Sequence, residues 1–219
     1  MSEFVVIGDT HGCFETFKAL LKKLPDCEKV LLGDLVDRGP RSKEMIDFMI
    51  ENKDEFSSVL GNHEYFMICA LEKPIQFYKS LWFQNGGNKT IASYGGSIHN
   101  IERSHYLFLK DLPSYIIKDK VLLSHTTYDQ RYPLEEASSR LDMYESIIWC
   151  REEPLKIMRE DLIDKIDYQI IGHTPNPEPI IEEHYANIDT GCVYNRGGCN
   201  KLTALHYPSK KVYQQENID

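Results

Sequence analysis

The sequence lacks the features that mark membrane, secreted and serine-hydrolase proteins. No apolar run approaches the roughly 20 residues of a membrane-spanning helix, and no basic segment precedes the apolar stretch Phe4–Ile7, as it would in a secretory signal. None of the six cysteines forms a CxxC pair. No Gly-x-Ser-x-Gly motif offers a serine nucleophile. We therefore expect a cytoplasmic protein with reduced thiols.

Positive charge is also in short supply. The chain has 25 Lys and Arg against 34 Asp and Glu, which gives a formal net charge of −9. This balance excludes a protein that coats nucleic acid or anionic membrane through bulk charge. There is no basic stripe or recognition-helix pattern either, so we expect neither a nucleic-acid polymer nor a membrane as partner. A locally cationic site is compatible with the balance.

What is present is a globular chain of 219 residues, 42% hydrophobic and 11% aromatic, which we interpret as a single domain over residues 1–219. In its first third, three apolar runs each lead through a glycine turn into a helical pattern; they are Phe4–Ile7, Val30–Leu32 and Phe56–Leu60. This alternation predicts an α/β fold with a parallel section. Ligands bind such sheets beyond the carboxyl ends of the strands.

The rest of the chain follows other patterns. Residues 73–100 are turn-rich and predict either a cap over a site or a plain connecting excursion. Residues 116–123 read as a hairpin. Further strands are expected at 168–171, 186–189, 202–206 and 211–213, which we assign to a second, largely antiparallel sheet.

Six of the predicted strands end in residues that bind divalent metals. One such residue alone is usually structural, and an aspartate in a glycine turn is usually turn chemistry. Six of them at strand ends favour a metal site. Carboxylate, imidazole and amide oxygen together suit Mn, Fe, Zn or Mg. In chain order the clusters are Asp9-x-His11, Asp34-x-x-Asp37-Arg38, Asn62-His63, His125, His173 and Asp189.

These clusters lie in longer motifs that resemble those of the metallophosphoesterases. The motifs are Gly8-Asp9-Thr10-His11-Gly12, Gly33-Asp34-Leu35-Val36-Asp37-Arg38-Gly39, Gly61-Asn62-His63-Glu64, Ser124-His125, Trp149-Cys150-Arg151, Gly172-His173-Thr174 and Ile188-Asp189-Thr190-Gly191. The Asp-Arg-Gly ending resembles the serine/threonine protein phosphatase branch. The compact length is similar to the bacterial and phage-lambda-type phosphatases. The resemblance implies a calcineurin-like β-sandwich of two mixed sheets flanked by helices.

The resemblance also implies a site with two divalent metal ions, Mn in vitro, with Fe, Zn, Ni, Co or Mg as other candidates. Asp9 and His11 would hold the first metal, Asp34 would bridge both, and Asn62, His125 and His173 would complete the second. Arg38 and Arg151 would clamp phosphate, since a guanidinium binds two phosphate oxygens at once. His63, oriented by Asp37, would protonate the leaving oxygen while a hydroxide bridging the metals attacks phosphorus.

Three functions fit this resemblance. The leading expectation is a serine/threonine protein phosphatase that hydrolyses phosphomonoesters of phosphorylated proteins. The alternative is a diadenosine tetraphosphate hydrolase, because the bacterial diadenosine tetraphosphatases share most of the pattern. A remote alternative is a non-catalytic metal-binding interaction module. We expect two segments to decide substrate specificity, residues 73–100 and 126–148. Their aromatic side chains either stack on adenine or simply pack the loops. The aromatic residues concerned are Trp82, Tyr94, Tyr128 and Tyr132.

Two positions depart from the pattern. The protein phosphatases mostly follow the fifth-motif histidine with small residues, whereas His125 precedes Thr126-Thr127-Tyr128. We therefore expect the ligand to be kept and the pocket wall behind it to differ. His173 lacks a second histidine two positions on, which the nuclease and phosphodiesterase branches commonly carry. Its absence favours the protein-phosphatase branch.

Overall fold

A computed structural model describes residues 2–73, 75–127, 134–135, 147–151 and 165–219. Within these ranges the chain forms two five-stranded sheets with helices around them. The strands are β1 (Phe4–Ile7), β2 (Glu28–Leu31), β3 (Phe56–Ser58), β4 (Tyr115–Lys118), β5 (Val121–Ser124), β6 (Tyr168–Ile171), β7 (Ile180–Ile181), β8 (Tyr185–Asn187), β9 (Lys201–Tyr207) and β10 (Lys211–Glu216). The helices are α1 (Phe14–Leu21), α2 (Ser42–Glu51), α3 (Asn62–Glu72), α4 (Gln76–Trp82), a π-helical turn (Phe83–Gly87), α5 (Asn88–Ser93), a 3-10 turn (Ile98–Asn100) and α6 (Arg103–Lys110).

Both sheets are mixed. The first has the order β10-β9-β1-β2-β3, in which β1, β2 and β3 run parallel while β9 and β10 pair antiparallel. The second has the order β4-β5-β6-β8-β7, in which β5, β6 and β8 run parallel and each edge strand is antiparallel. The expected sandwich of two mixed sheets is confirmed.

The side chains of β1 alternate between the two faces of the first sheet, and both faces are covered by other parts of the chain. Phe4 and Val6 pack against Leu123 and Ile170 of the second sheet, whereas Val5 and Ile7 belong to the core under the helices. Side chains of successive strand residues point to opposite faces, so β1 must be apolar on both. No helix in the described ranges is long and apolar enough to cross a membrane.

Two details of the sequence-based organisation were wrong. The second sheet is not largely antiparallel, since its three central strands are parallel. The strands expected at 202–206 and 211–213 join the first sheet through β1 instead of the second. Periodicity identifies a strand but not its partner, because pairing depends on contacts far apart in sequence.

The segment 73–100 is mainly helical where it is described, with α4, the π-helical turn and α5 in succession. Trp82 is completely buried and Tyr94 almost so. These two aromatics therefore pack the interior, which is the second of the two alternatives for them. Tyr128 and Tyr132 lie outside the described residues.

Candidate metal centre

The loops after β1 and β2 build one wall of the candidate site, and they are tied to each other by backbone hydrogen bonds. The N–H of His11 donates to the carbonyl of Asp34 at 2.8 Å, and that of Gly12 donates to Leu35 at 2.8 Å. The N–H of Gly39 returns to the carbonyl of His11 at 2.9 Å. The first two motifs thus form a single unit at the carboxyl ends of parallel strands, as ligand-binding α/β sheets do.

Five candidate site residues hold a left-handed backbone that non-glycine residues rarely adopt. The φ angles are 46° for His11, 49° for Asp34, 71° for Asp37, 70° for Arg38 and 67° for His173. Each such residue costs on the order of 1–3 kcal/mol and persists only where its surroundings impose it. The concentration of this strain in the motif loops marks them as a functional region.

One group of candidate ligands brings Asn62, His125 and His173 together. His125 Nε2 lies 2.9 Å from Asn62 Oδ1 and 3.1 Å from His173 Nδ1, and the last two atoms are 2.9 Å apart. His125 Nδ1 lies 2.7 Å from the Leu32 carbonyl oxygen, which can only accept, so Nδ1 carries the proton and Nε2 presents a lone pair.

That lone pair is aimed at another acceptor, Asn62 Oδ1, which is unfavourable unless a cation lies between them. Neighbouring ligand atoms of an octahedral ion with bonds of 2.0–2.1 Å are about 2.9 Å apart. The observed spacing of the three donor atoms matches that value. The donor set therefore fits a divalent metal ion.

The second group centres on His11 and Asp34, with Asp9 beside them. His11 Nδ1 donates to the Val36 carbonyl at 3.0 Å, which leaves its Nε2 as a lone pair 3.6 Å from Asp34 Oδ2. Asp34 Oδ1 lies 3.4 Å from His125 Nε2, so this one carboxylate reaches both groups. Asp9 accepts the N–H of His173 on both oxygens, at 3.3 and 3.1 Å. The three residues are buried.

A third cluster that could hold a metal lies away from the site and consists of Asp47, Glu102 and His105. Lys43 Nζ already pairs with both of its carboxylates, at 2.9 and 3.1 Å. The charges of this third cluster are therefore balanced by Lys43, and we interpret the cluster as a structural group of ion pairs.

Burial and the repulsion between like charges shift the pKa values of the histidines and carboxyls in the site. Burial lowers the pKa of His125 below its usual value, and those of His11 and His173 further, so the imidazoles are neutral and able to bind metal. Burial, together with the charges of Asp189 and Asp34, raises the pKa of Asp9 well above the ordinary range. The site therefore holds excess negative charge that a metal cation would neutralise.

The pKa values of Asp34 and Asp189 are shifted in opposite directions, although both residues are buried carboxyls. Burial alone would raise the pKa of Asp34, but the histidines around it and Arg38 outweigh burial and hold the pKa far below the usual value. Burial raises the pKa of Asp189 to about 7, against the N–H of Gly191, which it accepts at 2.8 Å. Of the two, Asp34 is thus the carboxyl that ionises more readily, which suits a ligand shared by two cations.

Glu64 holds the backbone around Asp34 in place. Its carboxylate accepts backbone N–H groups from Asp34, Leu35 and Gly61 at 2.8–2.9 Å and a longer one from Val36 at 3.3 Å. Burial and the charge of Asp34 raise the pKa of Glu64 to about 8. By binding both the loop after β2 and the start of α3, Glu64 fixes Asp34 against Asn62.

His63 stands beside these groups, oriented by a buried carboxylate. Its Nδ1 donates to Asp37 Oδ2 at 2.7 Å, which leaves Nε2 directed toward Asp34 Oδ2, 3.9 Å away. Asp37 is fixed in turn by Trp82 Nε1, at 2.9 and 3.1 Å, and by the Thr90 hydroxyl at 2.6 Å. The segment 73–100 therefore contributes through the support of Asp37, a role that its turn-rich composition did not reveal.

Ser42 joins the same network. Ser42 is the first residue of α2. Its hydroxyl accepts the N–H of Asp37 at 3.1 Å and contacts Thr90 Oγ1 at 3.0 Å. The start of α2 is thereby joined to the loop that carries Asp37.

A cleft of about 490 Å³ opens onto Asp34, Asn62, His63 and His173. Its walls carry three arginines, Arg38, Arg151 and Arg196. Arg38 Nη1 lies 2.6 Å from His11 Nε2, at the floor, and Arg151 is exposed. Four predicted site residues and both predicted arginines therefore line this cleft. The other predicted residues are buried and do not line it; they are Asp9, His11, Asp37 and His125. Sequence reasoning missed Tyr194 and Arg196, which lie in a glycine-rich turn outside every motif.

The family model of the calcineurin-like phosphoesterases matches residues 2–177. The chain belongs to this family. It is a metal-dependent phosphoesterase, and enzymes of this kind use a pair of divalent metal ions, which the two ligand groups sharing Asp34 fit.

Relatives and solved structures extend the comparison. The chain is 29% identical to bis(5'-nucleosyl)-tetraphosphatase PrpE [asymmetrical] of Bacillus cereus, over 96% of this chain and 92% of the relative. A structure provisionally described as a diadenosine tetraphosphatase superposes with a TM-score of 0.69 at 19% identity, over 100% of this chain and 95% of that one. A serine/threonine phosphatase of Saccharomyces cerevisiae, described as similar to human PP5, gives a TM-score of 0.66 at 16% identity, over 100% and 81%. Of the two enzymatic functions predicted from the sequence, diadenosine tetraphosphate hydrolysis agrees better with these relatives.

Proposed function

We propose that the chain hydrolyses dinucleoside polyphosphates, with diadenosine tetraphosphate as the first substrate to test. The observation that carries the proposal is the match, along nearly the full length of both chains, to a curated bis(5'-nucleosyl)-tetraphosphatase. The three arginines along the cleft support it, because a polyphosphate presents more anionic groups than a phosphomonoester. We take residues 1–219 to act as one domain.

The site residues divide the work as follows. Asp9 and His11 would hold one divalent ion, Asn62, His125 and His173 would hold the other, and the carboxylate of Asp34 would serve both. When bound, the two ions acidify water and neutralise charge on the phosphoryl oxygens, and Mn²⁺ is the pair to test first. Arg38 and Arg151 bind the equatorial oxygens of the phosphoryl group and hold it in line with the attacking water.

His63 supplies the proton for the leaving oxygen. The hydrogen bond from Nδ1 to Asp37 at 2.7 Å keeps Nε2 toward the cleft, where it can donate to a leaving oxygen. An anhydride releases a phosphate oxygen, which is far less basic than an alkoxide, so the demand on His63 is smaller for a dinucleotide than for a phosphoserine.

A serine/threonine protein phosphatase is the second candidate function. The motif Gly33–Gly39 with its Asp37-Arg38-Gly39 ending, and the lack of a second histidine after His173, favour it. Both reactions use the same phosphoryl chemistry, so only substrate preference separates them.

The test compares diadenosine tetraphosphate with a phosphoserine peptide, using purified protein with Mn²⁺ and p-nitrophenyl phosphate as a reference substrate. We expect the dinucleotide to have the higher kcat/KM, with ATP and AMP as products if cleavage is asymmetric. Asp34→Asn is the control that should abolish activity on all three. Turnover of the peptide and the reference without the dinucleotide would establish the second candidate. Inactivity on all three would leave a metal-binding interaction module.

A further inference from the structure

We propose that Arg196 forms a subsite for the phosphates that lie beyond the one being hydrolysed. This inference rests on the proposed function and concerns the substrate class that the same cleft accepts. Arg196 belongs to the loop between Asp189 and β9 and lies in none of the sequence motifs. It lines the same cleft as Asp34 and His63.

The cleft has a buried floor and an exposed rim. Asp34, Asn62 and His63 are buried at the floor, whereas Arg196 and Gly197 are exposed. A phosphomonoester that reacts at the floor has no further phosphate to offer the rim. A polyphosphate chain continues outward with a negative charge on every phosphate, and Arg196 is a cation at that rim that the phosphate clamp of Arg38 and Arg151 does not use.

Tyr194 joins Arg196 to the reaction site. The ring centre of Tyr194 lies 5.4 Å from the guanidinium carbon of Arg38 and 5.3 Å from that of Arg196. Both distances are within the range of a cation–π contact. One aromatic ring thus positions an arginine at the floor and another at the rim, as a linear anion crossing both would require.

The loop itself is held in place. The N–H of Tyr194 donates to the Gly191 carbonyl at 2.9 Å, and the N–H of Cys199 donates to that of Arg196 at 3.1 Å. At Gly191, φ is +64° and a Cβ atom would lie 2.8 Å from Cys199 Cβ, so this closed turn requires glycine. Arg196 is therefore presented on a defined turn.

Arg196 is also available for a ligand. Lys201, the next cation along the chain, is bound by Glu178 at 2.5 Å. In the part of the chain that the structure describes, no carboxylate comes within ion-pair distance of Arg196. An exposed guanidinium in a cleft, stacked on an aromatic ring and without a carboxylate partner there, is suited to bind phosphate in a bidentate manner.

The test uses inhibition of p-nitrophenyl phosphate hydrolysis, which needs no dinucleotide turnover. Inorganic tripolyphosphate and orthophosphate serve as inhibitors at a fixed free Mn²⁺ concentration, for wild type, Arg196→Gln and Arg196→Lys. We expect Arg196→Gln to raise the inhibition constant for tripolyphosphate about tenfold, ~1.4 kcal/mol, and to leave that for orthophosphate within about twofold. Arg196→Lys should recover part of the loss, because it keeps the charge.

Arg103→Gln is the matched control, since Arg103 is an exposed arginine on α6 away from the cleft. An equal rise for both inhibitors in Arg196→Gln, or no rise for tripolyphosphate, would overturn the proposal. In parallel, the KM for diadenosine tetraphosphate should rise about tenfold. If wild type does not hydrolyse the dinucleotide but tripolyphosphate still distinguishes the variants, the proposed function fails and the subsite stands.

Discussion

The support of Asp37 by a distant hydroxyl offers the sharpest test of how the site is positioned. Thr90 is completely buried, and its hydroxyl donates to Asp37 Oδ1 at 2.6 Å. Thr90→Val keeps the shape of the side chain and removes this donor, together with the oxygen that accepts the Asp37 N–H at 2.9 Å and contacts Ser42 Oγ at 3.0 Å. Trp82 Nε1 still donates to the carboxylate, and Ser42 Oγ still accepts the Asp37 N–H, so we expect the loop to stay folded.

The magnitude follows from the type of bond. A hydrogen bond to a charged group contributes about 1.5–3 kcal/mol. If all of it orients His63 in the transition state, kcat should fall by roughly 10- to 100-fold, at about 1.4 kcal/mol per decade. The effect should be largest for a substrate with a basic leaving group, such as phenyl phosphate, because there the proton from His63 matters most.

The assay measures kcat for phenyl phosphate, the Kd for Mn²⁺ and the free energy of unfolding in urea. Thr16→Val is a matched control: Thr16 is equally buried, and its hydroxyl donates to Asp219 Oδ2 at 2.8 Å and accepts the N–H of Ile218 at 2.9 Å, outside the cleft. Both variants should lose stability, and only Thr90→Val should lose turnover. Unchanged kcat in Thr90→Val, or a loss explained by weaker Mn²⁺ binding, would refute the positioning role.

Three other changes should have distinct results. His63→Asn should lower kcat for phenyl phosphate more than for diadenosine tetraphosphate, and loss of bound Mn²⁺ would contradict the role of proton donor. Because burial raises the pKa of Asp9, protons compete with metal at low pH; the Mn²⁺ affinity measured by calorimetry should rise from pH 5.5 to 8, and a flat profile would disprove this. Gly86→Ala would place a Cβ 2.7 Å from Arg38 Cγ at a φ of +107° and should weaken orthophosphate inhibition, whereas Gly96→Ala, at +88° with open space around it, should cost stability alone.

Most residues of the candidate metal centre could be predicted from the sequence because they lie in short motifs at strand ends. Asp9 and His11, or Asp34 and Asp37, are two and three residues apart, so each motif can be recognised without knowing the fold. The parallel order of β1, β2 and β3 then brings these motifs to one edge. The fold class followed from the same alternation of strand, turn and helix.

The roles that could not be predicted from the sequence depend on contacts between residues far apart in the chain. Thr90 is 53 residues from Asp37 and Trp82 is 45, and neither lies in a motif. A buried tryptophan whose N–H binds a carboxylate has the same sequence appearance as one that merely packs. Arg196 went unnoticed for a related reason, since its turn is defined by glycines and by the position of Tyr194 over Arg38.

In a chain of net charge −9, an anionic substrate needs a locally positive site, which the cleft arginines and bound metal ions would provide together. Asp9, Asp34 and Asp189 are buried and close enough to influence each other's ionisation, so without metal these carboxyls are a source of negative charge that opposes phosphate. Bound divalent ions reverse that sign locally, whereas Arg196 at the exposed rim keeps its charge with or without them. Capture of the reacting phosphoryl group is therefore coupled to metal loading. By linkage, a phosphate bound at the floor must strengthen metal binding by the same factor, while one held only at the rim leaves it nearly unchanged.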